Sequence, residues 1–115
     1  MSLKKGDIVL VEFPFTDLSN TKLRPALVLW ADTTGDDVTL CFISAQNVTS
    51  LSPEEFVLEP TEAEFKGTGL RTISKVRVTR MVTLERRFIK RRLGQLGTNQ
   101  TQQLNEVMLQ AFQLP

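Results

Sequence analysis

The chain has 115 residues, the length of one small domain with a modest hydrophobic core. Hydrophobic residues make up 41% of it and charged residues 23%, and these ordinary globular values exclude wholesale disorder. No apolar run approaches the roughly 20 residues that a membrane-spanning helix needs, and the single cysteine, Cys41, excludes an intramolecular disulfide framework. We therefore expect one cytoplasmic domain over residues 1–115.

Charge is distributed unevenly along the chain, although the net charge is only +1. Residues 1–70 contain five Lys or Arg and eleven Asp or Glu, whereas residues 71–92 contain nine Lys or Arg and one acidic residue, Glu85. A basic run of this kind is either a solvated surface or a cationic surface for nucleic-acid phosphates. Charge alone leaves both interpretations open.

The first half of the chain is predicted to form three strands. Residues 7–13 (DIVLVEF) are rich in β-branched residues and predict a buried strand. Residues 14–24 (PFTDLSNTKLR) predict a loop because Pro, Asp, Ser and Asn dominate them, and long loops in compact domains are often functional. Residues 25–31 (PALVLWA) and 38–45 (VTLCFISA) predict the second and third strands, with a turn between them.

The second half of the chain adds strands and ends in a helix. Residues 55–60 (EFVLEP) and 70–82 (LRTISKVRVTRMV) predict two more strands. From Leu104 the apolar residues recur at i, i+3, i+4, i+7 and i+8, which indicates an amphipathic helix, and Gly97 and Thr98 supply the stop and the N-cap before it. Short strands followed by one closing helix predict a mostly β fold, either a strongly bent sheet or a barrel.

Several short motifs, in their order along the chain, resemble one protein family. Residues 6–29 (GDIVLVEFPFTD…LRPALVL) are similar to the opening of the MazF/PemK-like toxins of type II toxin–antitoxin systems. In that family a Gly-Asp pair begins strand one, and Arg-Pro-Ala/Val begins strand two. Residues 40–46 (LCFISAQ) and 74–96 (SKVRVTRMVTLERRFIKRRLGQL) follow in the family's order. Each motif is short, but the ordered set covers nearly the whole chain.

The resemblance implies a fold, an activity and partners. The fold is expected to be a small SH3-like barrel of about five to seven strands with a C-terminal helix packed on it, in a homodimer. The activity is expected to be that of an mRNA interferase, a sequence-specific endoribonuclease that cleaves single-stranded RNA without a metal or cofactor and leaves 2′,3′-cyclic phosphate and 5′-hydroxyl ends. The expected partner is a cognate antitoxin with an acidic, disordered C-terminal segment; no membrane association is expected.

The side chains present restrict the chemistry independently of this resemblance. The chain contains no His, which excludes the His-pair ribonuclease mechanism and any imidazole metal ligand. The carboxylates are dispersed without metal-cage spacing, and the Walker, GxGxxG and GxSxG patterns are absent. Catalysis must therefore depend on Arg, Ser or Thr hydroxyls and backbone amides. These groups suit the stabilisation of a pentacoordinate phosphorus that the RNA's own 2′-hydroxyl attacks.

The resemblance also assigns roles to individual residues. Arg24 matches the family's catalytic arginine and is expected to neutralise the phosphorane, and Ser44 matches its catalytic Thr/Ser and is expected to donate a hydrogen bond to a non-bridging oxygen. Ser74 stands where some family members carry an acidic residue, so the proton acceptor is unassigned. The predicted RNA-binding residues are Thr16, Asn20, Lys22, Gln46, Ser74, Lys75 and Arg77, and no metal ligand is predicted.

Less specific interpretations remain beside these assignments. Arg24 and Gln46 are also typical of surface loops, and Ser44 is typical of a strand end whose hydroxyl bonds to local backbone. The chain as a whole has two alternatives: a catalytically weak or inactive toxin-fold protein that binds nucleic acid or a protein target such as DNA gyrase, and a small β scaffold that dimerises. Arg24 together with Ser44 discriminates among them, because a gyrase-directed relative does not need this pair.

Overall fold

The protein is built from one six-stranded sheet and a helix at its C-terminal end. A computed structural model describes residues 1–13 and 22–115. The strands are β1 (Asp7–Glu12), β2 (Leu23–Ala31), β3 (Asp37–Ser44), β4 (Glu55–Leu58), β5 (Ser74–Glu85) and β6 (Ile89–Gln95). Two 3₁₀ helices, Ala63–Thr68 and Arg86–Phe88, flank β5, and α1 spans Thr98–Ala111. Among these described residues, no helix has the length and apolar character needed to cross a membrane.

Neighbouring strands are antiparallel, and their spatial order is β4-β5-β3-β2-β1-β6. The prediction of a mostly β fold with a C-terminal helix is confirmed. The barrel is not closed, because no pairing among the described residues joins β4 to β6. Irregularities in the β1–β6, β2–β3 and β3–β5 pairings bend the sheet instead, as β-bulges do.

Both faces of the sheet bury apolar side chains, because alternate residues of a strand point to opposite faces. One face carries a core cluster that includes Ile8, Leu27, Cys41, Val76 and the helix residue Leu104. The opposite face carries a second cluster that includes Val9, Ala26, Val28, Leu40 and Leu84. Burial on both faces explains why β1, β2 and β3 read as nearly continuous apolar runs.

A carboxylate from a distant segment holds the N-terminus of α1. The backbone N–H groups of Asn99 and Gln100 each donate to the Glu64 carboxylate at 3.0 Å, and the Gly97 N–H donates to Oε1 of Gln100 at 2.9 Å. These bonds satisfy amides that lack a partner within the helix, and they set a negative charge at the positive end of the helix dipole. The N-cap is Gly97, so the prediction of Thr98 as N-cap is wrong by one residue.

The starts of two strands near the groove differ from the prediction, and one strand was not predicted. β2 begins at Leu23, so Arg24 lies inside a strand rather than in the preceding loop. β5 begins at Ser74, because Gly69 adopts a left-handed conformation (φ +74°) and residues 70–73 form a turn instead of strand. The sequence prediction also lacks β6, whose Lys and Arg residues conceal its strand character.

Candidate functional site

A groove of about 590 Å³ opens at the end of the sheet where β2 begins and β3 ends. We call it the central groove. The polar and charged residues that line it are Arg24, Ser44, Gln46, Arg71, Thr72, Ser74 and Arg77. Three of these are arginines and none is acidic, so the described part of the groove wall is cationic. Of the sequence-predicted site residues, the structure therefore brings Arg24, Ser44, Gln46, Ser74 and Arg77 together.

Arg24 and Ser44 lie at the same end of the adjacent strands β2 and β3. β2 and β3 are antiparallel, with Ala26 opposite Phe42. Arg24 precedes Ala26 by two residues and Ser44 follows Phe42 by two residues, so in this antiparallel pair both stand at the same end, just beyond the paired residues, and both line the central groove. The two predicted catalytic residues therefore occupy adjacent strands at one end of the sheet.

Arg24 supplies a fixed positive charge to the central groove. Its side chain is exposed, and it forms no ion pair with a carboxylate of the described residues. A guanidinium stays protonated throughout the physiological pH range and carries donors in a planar fork. These donors are therefore available to an anionic ligand such as a phosphate.

Ser44 is oriented by the backbone that follows it. Its Oγ accepts a hydrogen bond from the Gln46 N–H at 3.1 Å. This is the bond to local backbone that is typical of a serine at a strand end, and it fixes the hydroxyl oxygen at the end of β3. A hydroxyl that accepts one bond still has its own hydrogen to donate. The structural role of Ser44 is therefore compatible with donation to a ligand in the groove.

Lys75 and Arg77 share the carboxylate of Glu55. Lys75 Nζ lies 3.3 Å from Oε1, and Arg77 Nε donates to Oε2 at 2.9 Å. The Lys75 side chain is only 9% exposed, and its Nζ also donates to the carbonyls of Asn47 and Ser50, each at 3.2 Å. Lys75 therefore holds the loop after β3 and does not line the central groove, whereas Arg77 does.

The Glu55 carboxylate remains ionised despite its burial. Burial opposes the charged form, but the Ser52 N–H, Arg77 and Lys75 outweigh it, so the pKa of Glu55 lies below its ordinary value. The Ser52 N–H donates to Oε1 at 2.9 Å. One carboxylate thus connects β4, β5 and the loop between β3 and β4.

The remaining predicted RNA contacts occupy different settings. Ser74 lines the central groove but is only 4% exposed, and its Oγ donates to the Thr72 carbonyl at 3.0 Å. Lys22 is exposed and is not among the residues that line the groove. The predicted contacts Thr16 and Asn20 lie outside the described residues.

The residues of the central groove that sequence reasoning missed include two aromatic and two polar ones, Phe13, Phe42, Arg71 and Thr72. Arg71 and Thr72 fell inside a predicted strand, and Gly69 was the one signal for the turn that exposes them. The rings of Phe13 and Phe42 pack edge to face with centroids 5.1 Å apart. Phe13 is only 3% exposed, whereas Phe42 is partly exposed, and proteins stack the bases of single-stranded nucleic acids on exposed aromatic surface of this kind.

The described residues supply neither a metal-ligand cluster nor a reactive thiol to this groove. No group of three or more His, Cys, Asp or Glu residues is arranged there to hold a metal ion. Cys41 is fully buried, and burial raises the pKa of its thiol to about 12, so it stays protonated. The chemistry that the groove offers comes from arginines, hydroxyls and backbone amides.

Comparison with known proteins identifies a family. Residues 4–112 match the model of the PemK-like, MazF-like toxins of type II toxin–antitoxin systems. No curated protein matches the sequence significantly.

Solved structures share the fold over nearly the whole chain. A mycobacterial endoribonuclease in complex with its cognate antitoxin has a TM-score of 0.73 at 14% identity, covering 99% of this chain and 98% of its own. Another mycobacterial endoribonuclease has a TM-score of 0.66 at 16% identity, covering 96% of this chain and 91% of its own. The Mycobacterium tuberculosis toxin MazF-mt6 has a TM-score of 0.72 at 21% identity, covering 95% of this chain and 98% of its own. At these identities the likeness shows the fold alone, whereas the match over residues 4–112 shows that the chain belongs to the PemK-like, MazF-like toxins of type II toxin–antitoxin systems.

Proposed function

We propose that this toxin is an endoribonuclease that cleaves single-stranded RNA at a phosphodiester bound between Arg24 and Ser44. The observation that carries the proposal is the position of these two residues at the same end of adjacent strands, where both line a cationic groove. Two mycobacterial structures with this fold are endoribonucleases, which supports RNA as the substrate. A catalytically inactive toxin-fold protein or a gyrase-directed one would not need this arrangement of Arg24 and Ser44.

In the proposed reaction the RNA supplies its own nucleophile. The 2′-oxygen forms a bond to the adjacent phosphorus, and the bond from phosphorus to the 5′-oxygen breaks. The products are a 2′,3′-cyclic phosphate and a 5′-hydroxyl. The 2′-oxygen loses one proton and the leaving 5′-oxygen gains one, so the reaction consumes no net proton. Water in the open groove carries both protons. The task left to the protein is to position the phosphodiester and stabilise the extra negative charge.

Arg24 and Ser44 would act on the non-bridging oxygens of the phosphorane. The planar guanidinium of Arg24 donates two N–H groups to these oxygens and offsets their charge. The Ser44 hydroxyl, whose oxygen already accepts the Gln46 N–H, donates its hydrogen to one of them. Arg77 is held through Nε by Glu55 and keeps its terminal amino groups for a neighbouring phosphate.

The remaining groove residues would bind and read the RNA strand. The partly exposed ring of Phe42 offers a surface for stacking, and the exposed Gln46 amide can bond a base edge. We include the other predicted contacts, Thr16, Asn20, Lys22 and Ser74, in the same RNA-binding set. Lys75 acts on this set indirectly, because its ammonium holds the loop that carries Gln46.

The proposed partners follow from charge and exposed apolar surface. A cognate antitoxin with an acidic segment suits the cationic groove, and one structure of this fold is in complex with its cognate antitoxin. Trp30, Thr39 and Thr83 form one row across β2, β3 and β5, and the exposed Trp30 and Met81 lie on that face. We propose that this face contributes to a homodimer, and that the protein acts in the cytoplasm, where mRNA is available.

Incubation of the purified protein with a long single-stranded RNA in EDTA tests the proposed activity. We expect discrete fragments whose 5′ ends accept phosphate from a kinase without prior dephosphorylation and whose 3′ ends are cyclic phosphates. Added Mg²⁺ should not raise the rate beyond its general effect on RNA structure. Intact RNA at high protein concentration would instead favour a toxin-fold protein that acts by binding.

A further inference from the structure

The basic run of residues 71–92 separates into partnered and unpartnered cations. Six of its nine basic side chains bond to carboxylates or backbone carbonyls: Lys75, Arg77, Arg86, Arg87, Lys90 and Arg92. Within the described residues the other three, Arg71, Arg80 and Arg91, form no ion pair or side-chain hydrogen bond, and all three are exposed. Most of the run is therefore structural, and three arginines remain available to a ligand.

Two of these three arginines line one depression. Arg71 and Arg91 border a groove of about 390 Å³, which we call the flanking groove. Its other lining residues are Leu10, Pro25, Gly69, Leu70 and Leu93. All five lack a charged side chain, so the two guanidinium groups stand over an apolar floor. Arg80 lies elsewhere, in a depression beside Glu54 and Thr79.

The flanking groove continues the central groove. Pro25, Leu70 and Arg71 line both. Arg91 lies opposite Leu10, and Leu10 lies opposite Pro25, so one row of residues crosses β6, β1 and β2. Two inter-strand spacings make this row about 10 Å long. It ends beside Arg24, which precedes Pro25 in β2.

We propose that the flanking groove binds the RNA strand next to the cleaved phosphodiester, with Arg71 and Arg91 on its phosphates. The inference rests on the proposed endoribonuclease function and extends it to a second subsite. Arginine grips phosphate oxygens through paired donors, and no carboxylate in the described part of either groove competes for them. The apolar floor suits the ribose and base faces between phosphates. Contacts to phosphates carry no sequence information, so this subsite is expected to raise affinity without selecting sequence.

The variants Arg71→Ala and Arg91→Ala test the subsite, and Arg80→Ala is the matched control. All three remove an exposed arginine that has no partner among the described residues, but only the first two alter the flanking groove. The probe is a 20-nucleotide RNA with 2′-O-methyl groups throughout, which cannot be cleaved because its 2′-oxygens are blocked. Dissociation constants are measured across a NaCl series, and thermal unfolding checks that each variant is folded.

We expect Arg71→Ala and Arg91→Ala each to weaken binding several-fold at low salt. Each should also reduce the slope of log affinity against log salt by about 0.7, the value for one lost phosphate contact on a single strand. Arg80→Ala should keep the wild-type affinity and slope. Arg91→Ala binding with wild-type affinity and slope would overturn the inference.

Three further outcomes separate the inference from its alternatives. An acidic peptide of Asp and Glu is titrated in parallel; if Arg91→Ala weakens that peptide but not the RNA, the groove serves a protein partner and the inference is wrong. If the wild-type protein cleaves RNA while Arg91→Ala binds the probe unchanged, the inference fails and the proposed function stands. If the wild-type protein neither binds the probe nor cleaves RNA, both fail.

Discussion

Glu55 and Arg77 form an ion pair of 2.9 Å between Oε2 and Nε at the border of the central groove. Arg77 lines that groove, whereas Glu55 does not. The other oxygen of the same carboxylate bonds Lys75, which holds the carbonyls of Asn47 and Ser50. A single side chain outside the groove therefore orients an arginine and a loop that belong to it.

Replacement of Glu55 by Gln is expected to lower the free energy of unfolding at pH 7 by about 2 kcal/mol, because Lys75 and Arg77 bond different carboxylate oxygens and an amide keeps only one of these acceptors. The pKa of Glu55 is lowered in the folded protein, so its contribution to stability is present above the unfolded-state pKa. It is lost as pH falls through the folded-state pKa. Urea unfolding from pH 7 to pH 3 should therefore show the stability difference shrinking at the acid end.

Asp7→Asn is the matched control for this variant. Asp7 is also a buried carboxylate, and it accepts the Lys4 N–H at 3.0 Å and Arg92 Nη1 at 3.4 Å, but it lines neither groove. Both variants should lose stability, whereas only Glu55→Gln should slow RNA cleavage, by about 10-fold or more, because Arg77 and the loop lose their support. Equal cleavage rates at a temperature where both variants are folded would contradict a positioning role for Glu55.

Replacement of Ser44 by Ala should slow RNA cleavage by about 100-fold, the usual effect of removing one donor to a developing oxyanion. Stability should fall by only about 1 kcal/mol, since one local hydrogen bond to the Gln46 N–H is lost. Ser44→Thr retains the hydroxyl and should stay within a few-fold of the wild-type rate. Rates are measured with enzyme in excess over labelled RNA; an Ala variant as fast as the Thr variant would remove Ser44 from the reaction.

Gly94→Ala should destabilise the protein by about 2 kcal/mol, because β6 and the 3₁₀ helix before β5 touch backbone to backbone. A Cβ at Gly94 would lie 2.2 Å from the carbonyl oxygen of Gly67 and 2.5 Å from the carbonyl carbon of Thr68. At Gly67 the nearest atom to an added Cβ is 3.9 Å away, so Gly67→Ala is the control. Urea unfolding compares the two, and equal stabilities would show that this close approach is unimportant.

Element types along most of the chain could be predicted from the sequence, because they depend on local periodicity. The apolar runs of β1, β2 and β3 and the stripe beginning at Leu104 are such local signals. β6 was missed because four of its seven residues are polar or charged and alternate weakly with apolar ones. The cap of α1 was misplaced because its carboxylate, Glu64, lies 35 residues before Asn99.

Only part of the candidate site could be predicted, because contacts between residues distant in sequence leave no local pattern. The resemblance named Arg24 and Ser44, but their adjacency depends on the β2–β3 register, which no local pattern encodes. Lys75 was among the residues expected to contact RNA. Its ammonium is instead held by groups 20 to 28 residues away in sequence, including Glu55. Long-range pairing of this kind becomes visible only in the folded chain.

The measurement that tests the account most directly is the single-turnover cleavage rate of Arg24→Ala in EDTA, with Arg80→Ala beside it. Arg24 lines the central groove together with Ser44, whereas Arg80 is an exposed arginine outside both grooves. We predict that Arg24→Ala cleaves at least about 100-fold more slowly than the wild type, because the phosphorane loses its main counter-charge. Arg80→Ala should match the wild type. Cleavage by Arg24→Ala at the wild-type rate, with the same 5′-hydroxyl ends, would contradict the central claim.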